Sequence, residues 1–306
     1  MGQFLIRRLA LLVPTLGGVT LAVFLMLHLT PGDPAQIMLG EFASGAEVQR
    51  LRRELGLDQP LLVQYVRFVG RALHGDLGVS IRSRRPVARE IADRLPATVT
   101  LTASAVAVAV AAGVTLGTLA AVVRSPLVDS LVMAVALVGL SMPTFWSGLL
   151  LILVFALSLR WLPITETAGV RALILPAVTL AAPAAAVLAR ITRSSILEVL
   201  QQNFVQTARA KGLVERRVVV VHVLRNALVP VLTIVGLQAG GLLAGAVIVE
   251  SVFARPGLGR LAVTAILARD FPLAQGIVLV VAVMYVFVNV AVDVGYGLLD
   301  PRIRYR

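Results

Sequence analysis

The chain has 306 residues, 58% of them hydrophobic and only 14% charged, with a mean hydropathy of +0.91 and a formal net charge of +12. A soluble domain carries about 25% charged residues, so this chain cannot cover a globular surface, and it reads as an all-α polytopic membrane protein. The positive balance belongs to arginines in loops and at helix ends, and no nucleic-acid partner is expected.

Cysteine is absent, which excludes disulfides, thiolate metal sites and a lipidated cysteine. His28, His74 and His222 lie far apart, so no metal-ligand spacing is visible and neither metal nor cofactor is expected.

In chain order, residues 1–8 form a short basic start with Arg7 and Arg8. The apolar run 9–29 exceeds the roughly 7–15 residues of a signal-peptide core and lacks a small-residue cleavage site, so it is expected to stay as the first transmembrane helix. Residues 30–96 are the one large polar insertion. Within it, Val48, Leu51 and Leu55 mark one face of a helix that Gly56 ends. A second amphipathic segment covers 61–73, a loop holds Gly75, Asp76 and Gly78, and an arginine-rich stretch runs from 82 to 94.

Five further apolar runs follow, at 97–123, 127–159, 172–189, 229–249 and 273–298, for a total of six spans. The run 127–159 is longer than one crossing needs and contains Pro143, so a single tilted or kinked helix is predicted. The spacings Gly113/Gly117, Gly236/Gly240 and Gly241/Gly245 suit close helix packing.

Six spans put both termini on one side. With the N-terminus inside, the short inside segments hold 13 of the 28 lysines and arginines, the short outside loops hold 5, and the insertion, too long to count, holds 10. The positive-inside rule therefore places both termini and the segment 190–228 in the cytoplasm.

That segment separates two apolar runs and carries Arg190, Arg193, Arg209, Lys211, Arg216, Arg217 and Arg225, Lys211 being the only lysine in the chain. Ser195 and Glu198 have capping-box spacing, and Ile196, Val199, Leu200 and Phe204 recur at helical intervals, giving an amphipathic helix that Gly212 terminates. A second basic segment, 213–225, leads to Pro230. Its four valines at 218–221 favour strand by propensity while their surroundings favour helix.

No residue set for catalysis is recognisable. A P-loop needs lysine followed by Ser or Thr, whereas Lys211 is followed by Gly212. Proton-coupled transport calls for ionisable groups inside the membrane, and His28, Glu250 and Asp293 each sit near a span end, where a packing role is the expectation. The chain is not expected to be an enzyme.

The segment Gln206-Thr-Ala-Arg-Ala-Lys-Gly212 resembles the EAA loop of binding-protein-dependent ABC importer permeases. Its flanks, Arg193 to Leu200 and His222 to Pro230, are similar to the dipeptide/oligopeptide/nickel class. Gln206 and Thr207 replace the usual Glu-Ala, and Leu224-Arg225 the usual Leu-Pro, departures typical of that class. Further matches in order are Phe4 to Pro34, Glu54 to Pro60, Gly75 to Gly78, Ser141 to Trp146, Glu250 to Phe253, Pro256 to Gly259, Arg269 to Pro272 and Asp300 to Arg302. The chain looks like the first of the two permease subunits, with a permease domain over 97–299 and a cytoplasmic tail at 300–306.

The resemblance implies a bacterial inner-membrane location in the lipid bilayer, a second homologous permease, two cytoplasmic ATPases and an external solute-binding protein. It assigns ATPase coupling to Glu198, Phe204, Gln206, Thr207, Ala208, Arg209, Lys211, Gly212, His222, Leu224 and Arg225. A bulky side chain at Ala208 or Gly212 would spoil close docking. The insertion is either a docking surface for the binding protein, with Asp33, Glu54, Asp58 and Asp76 as its acidic groups, or a scaffold against the other permease. Cargo by family weight is a di- or oligopeptide, with nickel or another small solute as the alternative. A secondary transporter or channel independent of ATP is the rival of a different class.

Overall fold

In the computed structural model, residues 2–29, 33–39, 44–123, 125–164 and 169–299 are described. The apolar runs fold as helix. α1 is Gly2–Leu29, α2 Pro34–Leu39, α3 Gly45–Leu55, α4 Leu61–Leu73, α5 Val87–Val122, α6 Pro126–Ser141 and α7 Thr144–Leu151. They are followed by α8 Val170–Leu200, α9 Asn203–Ala210, α10 Glu215–Arg217, α11 Leu224–Val252, α12 Leu258–Leu267 and α13 Phe271–Leu299.

Among the described residues, four helical runs are long and apolar enough to cross a membrane: Val87–Val122, Val170–Leu200, Glu215–Val252 and Phe271–Val292. A fifth arises when Pro126–Ser141 and Thr144–Ser158 are taken together, and the N-terminal run contributes the shorter apolar stretch Leu12–Met26.

The run 127–159 is not one kinked helix but two, turned 110° against each other. Pro143 disfavours helical backbone at the residue before it. Met142 (ψ 130°) and Pro143 (ψ 133°) are accordingly both extended, which breaks the ladder outright. Beyond α7 the helix widens into a π-helical stretch, Ile152–Ser158.

The chain forms two compact units. One gathers Thr98–Arg255 with the described chain from Phe287 to Leu299. At its centre α8 sets Leu180, Ala181, Ala184 and Leu188 against Leu101, Ala105 and Ala109 of α5 and Leu242, Ala246 and Val249 of α11. Lipid is as apolar as leucine, so helices in a bilayer gain by close packing, which small residues permit. Gly113 and Gly117 are where α5 meets the α8 backbone: a Cβ at Gly113 would lie 2.5 Å from that of Leu188, and one at Gly117 would collide with the Ala189 carbonyl. Across the same unit the Arg193 guanidinium grips Asp129 of α6 with two hydrogen bonds, at 2.5 and 2.6 Å.

The other unit gathers Gly2–Ala97 with Pro256–Val286. Its core joins Val87 and Ile91 of α5, Leu258 and Ala265 of α12, and Leu273 and Ile277 of α13. The insertion folds much as its pattern predicts. α3 starts on a capping box in which Ser44 and Glu47 exchange hydrogen bonds, and it ends at Gly56 with φ +70°. α4 lies against α1: the Tyr65 hydroxyl meets Thr20 Oγ1 at 2.8 Å, and Phe24 packs on Tyr65 and Phe68. Gln275 of α13 donates to the Val23 carbonyl of α1 at 2.9 Å.

Asp270, at the start of α13, is buried. Its carboxylate accepts from Ser80 Oγ (2.5 Å) and from the backbone N–H groups of Ile81, Arg82 and Leu273 (3.2, 3.2 and 3.3 Å).

Candidate functional site

The polar segment between the fourth and fifth apolar runs folds as a clasp. α8 continues unbroken to Leu200, so Ser195 and Glu198 do not form the expected capping box. Ser195 sits mid-helix, buried, and its hydroxyl donates to the Ala227 carbonyl of α11 at 2.9 Å. Gln201 and Gln202 make a turn, and α9 follows.

α9 ends in a Schellman motif. The Gly212 N–H donates to Arg209 O (2.9 Å) and the Leu213 N–H to Ala208 O (3.4 Å). Gly212 adopts φ +76°, a left-handed conformation that costs other residues roughly 1–2 kcal/mol. α10 then leads into a π-helical stretch, Val218–Val223, and on to α11. The four valines are thus helical: helix on both sides outweighs their strand preference, and Val218 and Val219 bury their side chains.

The clasp has a core of its own. Ile196 and Val199 of α8, Val205 and Ala208 of α9, Val218, Val223 and Ala227 are buried together, with Leu200, Leu213 and Leu224 at the edge. A bidentate pair, Arg209 Nε to Glu215 Oε2 (3.1 Å) and Arg209 Nη2 to Glu215 Oε1 (2.5 Å), closes the turn over Gly212. Glu215 raises the pKa of the Arg209 guanidinium above its ordinary value. Pairs this exposed contribute about 0–1 kcal/mol, so glycine and the small core hold the turn more than the charges do.

This geometry sorts the residues expected to couple to an ATPase. Glu198, Phe204, Gln206, Thr207, Lys211, Gly212 and Arg225 are exposed, and His222 and Leu224 are half-buried. Phe204 is an aromatic ring on a solvated helix, while its neighbour Val205 takes the core position. Arg209 is half-buried and bound to Glu215. Ala208 is buried inside the clasp, where its small side chain packs within this chain. Nothing lies within 4 Å of a Cβ built at Gly212, so the constraint there is backbone conformation. The role of Val205 and Ser195 escapes sequence reading, because both lie on tertiary contacts that helical spacing does not reveal.

The acidic groups of the insertion are not brought together as a site. Asp33 accepts from the Ala35 N–H at 3.0 Å and lies 3.6 Å from Arg52. Asp58 is exposed, and Asp76 caps its own loop by accepting from the Gly78 N–H at 2.9 Å. The Glu54 and Asp293 side chains lie outside the described residues. Glu250, expected to pack at a helix end, is fully buried in α11 and accepts from Thr98 Oγ1 of α5 at 2.6 Å. Burial lowers the pKa of the nearby Arg255 guanidinium, an effect the Glu250 carboxylate opposes.

Residues 113–305 match the family described as binding-protein-dependent transport system inner membrane component, and residues 1–102 match its N-terminal companion family. The chain is 43% identical to the dipeptide transport system permease protein DppB of Escherichia coli (strain K12), and 44% identical to the di/tripeptide transport system permease protein DppB of Pseudomonas aeruginosa (strain UCBPP-PA14). It is 45% identical to the glutathione transport system permease protein GsiC of Escherichia coli (strain K12). Each alignment covers 99% of both chains. Among solved structures, the inward-facing MetNI methionine ABC transporter in its native CY5 crystal form matches with a TM-score of 0.58 at 16% identity, over 69% of this chain and 96% of that one. An amino acid ABC transporter with histidines matches with a TM-score of 0.52 at 19% identity, over 70% and 94%. At such identities the solved structures establish a shared fold.

Proposed function

The chain belongs to the binding-protein-dependent transport system inner membrane component family and is a membrane permease subunit rather than an enzyme, and from that premise we propose that it imports di- or oligopeptides. The names of its relatives support this cargo, since glutathione is itself a tripeptide. In this reading the peptide comes from an external solute-binding protein. The pathway is shared with a second homologous permease, and two cytoplasmic ATPases supply the energy.

The observation that carries the mechanism is the clasp at 196–227. It is closely packed, exposes Phe204, Gln206 and Thr207 on one short helix and Lys211 just past its end, and belongs to a chain with no P-loop of its own. A packed element transmits displacement where a loose loop would absorb it. The arginine distribution supports a cytoplasmic position for this clasp and for both termini, with the insertion outside. Movement of an ATPase would then pass through α9 into α8 and α11, which the clasp core joins.

Gly212→Arg tests this. The space at Gly212 is open, so the variant should reach the membrane at ordinary levels, while its bulk and strained backbone abolish peptide uptake and substrate-stimulated ATP hydrolysis. Gly212→Asn, which tolerates the left-handed conformation, should keep most of both. If a reconstituted importer carrying Gly212→Arg retained substrate-stimulated ATP hydrolysis, the coupling role would be lost. Uptake of nickel without peptide by the unaltered importer would reassign the cargo.

A further inference from the structure

Within the unit that contains the insertion lies a cavity of about 360 Å³, bounded by the end of α1, by α4, by the loop at 76–79 and by the start of α13. Its lining has two chemistries. Phe24 and Phe271 are buried and Phe68 is half-buried, giving an aromatic floor. Arg67, Arg71 and Asp76 also line it, and all three are exposed, giving a charged rim of both signs.

The rim groups have capacity to spare. Arg71 Nε and Asp76 Oδ2 stand 3.9 Å apart, beyond hydrogen-bond reach, with about half of each side chain accessible. Arg67 donates one hydrogen bond to Gln59 Oε1 at 3.1 Å, of the five its guanidinium can make. The turn between α3 and α4 also makes room for Arg67, because a Cβ at Gly56 would run into that guanidinium.

We propose that this cavity is a peptide site on the permease itself. Arg67 takes the terminal carboxylate, Asp76 takes the terminal ammonium, and the three phenylalanines take an apolar side chain. This inference rests on the peptide reading above and adds a site to it. Arg67 lies one turn from Arg71, the neighbour of Asp76, or about 6 Å along the helix axis. The ends of a dipeptide stand about 7 Å apart, so the cavity suits a short peptide. A phosphatidylethanolamine headgroup offers the same two charges across a shorter ethanolamine bridge, and it makes the competing occupant.

The test uses the importer complex without its binding protein, in nanodiscs of phosphatidylcholine and phosphatidylglycerol. It is titrated with Ala-Phe, N-acetyl-Ala-Phe and Ala-Phe amide by equilibrium dialysis. Ala-Phe should bind saturably, and blocking either end should weaken binding about tenfold or more, as loss of one charged contact does. Arg67→Gln should remove discrimination against the amide alone, and Asp76→Asn discrimination against the acetylated peptide alone. Absence of saturable binding below ~10 mM, equal affinity for the three peptides, or indifference to both variants would overturn the site. Retention of phosphatidylethanolamine during purification, lost in Arg67→Gln and unaccompanied by peptide binding, would also overturn it in favour of a lipid.

Uptake of Ala-Phe by the complete importer with its binding protein separates the two readings. Uptake without binding to the cavity sinks the site alone, whereas failure of both sinks the peptide reading with it.

Discussion

Gly117→Ala should lower the melting temperature of the solubilised subunit sharply, and Gly117→Leu should leave no folded subunit in the membrane. A Cβ at Gly117 collides with the Ala189 carbonyl and would lie 2.7 Å from Thr192 Cβ and 3.1 Å from Arg193 N. Two of these three atoms are backbone of α8, so no rotamer change relieves the clash and the helices must separate. One excess methyl group in a tight interface costs about 1–3 kcal/mol. In a bilayer the lost contact is not recovered elsewhere, because the hydrophobic effect does not press the helices together.

The displaced helix also carries Arg193, which holds Asp129, and Ser195 to Leu200, which build the clasp. The controls are the other glycines of similar spacing. A Cβ at Gly245 meets only the flexible end of Leu180, at 2.9 Å, and one at Gly241 meets nothing within 4 Å. Gly241→Ala should therefore be neutral, or stabilising by up to about 1 kcal/mol through helix propensity. Equal melting temperatures for Gly117→Ala and Gly241→Ala would refute the close approach of α5 and α8.

These glycines show how far the sequence can be read. The spacing at 113/117 and at 241/245 is the same, and only the structure separates the backbone crossing at 113/117 from the open space at Gly241 and the flexible side chain over Gly245. Apolar runs, the end of α3, the α4 boundaries, Gly56 and Gly212 are all legible, because each follows from local chemistry: length against bilayer thickness, amphipathic period, or a residue able to take positive φ. The break at Pro143 was half-legible. A proline inside a run announces distortion, but whether the result is a kink or a 110° turn depends on what the two halves pack against. Ala208 is buried in the clasp core, a placement that helical spacing alone does not give, because spacing does not say whether a small residue faces a partner or its own core. The Ser195, Glu250 and Asp270 bonds join residues that lie 32, 152 and up to 190 positions apart, and no period in the chain connects such distant groups.

Asp270 carries the second large effect. It is 2% exposed, and its two oxygens accept four hydrogen bonds from Ser80 Oγ and three backbone amides. A carboxylate has only acceptors to offer, which fixes the direction of every bond: the Ser80 hydroxyl must donate to Asp270, and the Ser83 N–H then donates to the Ser80 oxygen at 3.1 Å. The chain from 80 to 83 is thus wound around one side chain, and Leu273 at the start of α13 shares it. Asp270→Ala leaves four donors without this acceptor, and each one that stays buried, Ser80 and Leu273 foremost, costs about 1–3 kcal/mol. Asp270→Asn should lose less. Its remaining oxygen can face Ile81 and Leu273 while its amide donates to Ser80, so only the Arg82 N–H meets a donor. Hydrogen-exchange mass spectrometry of the purified subunit reads this directly. Protection at 81 and 82 should fall in the order unaltered chain, Asn, Ala, while the clasp at 196–227 keeps its own. Unchanged exchange at 81 and 82 in Asp270→Ala would mean that the loop is held by its own turns, chiefly Ser80 N to Arg85 O and Arg84 N to Ser80 O, and not by the carboxylate.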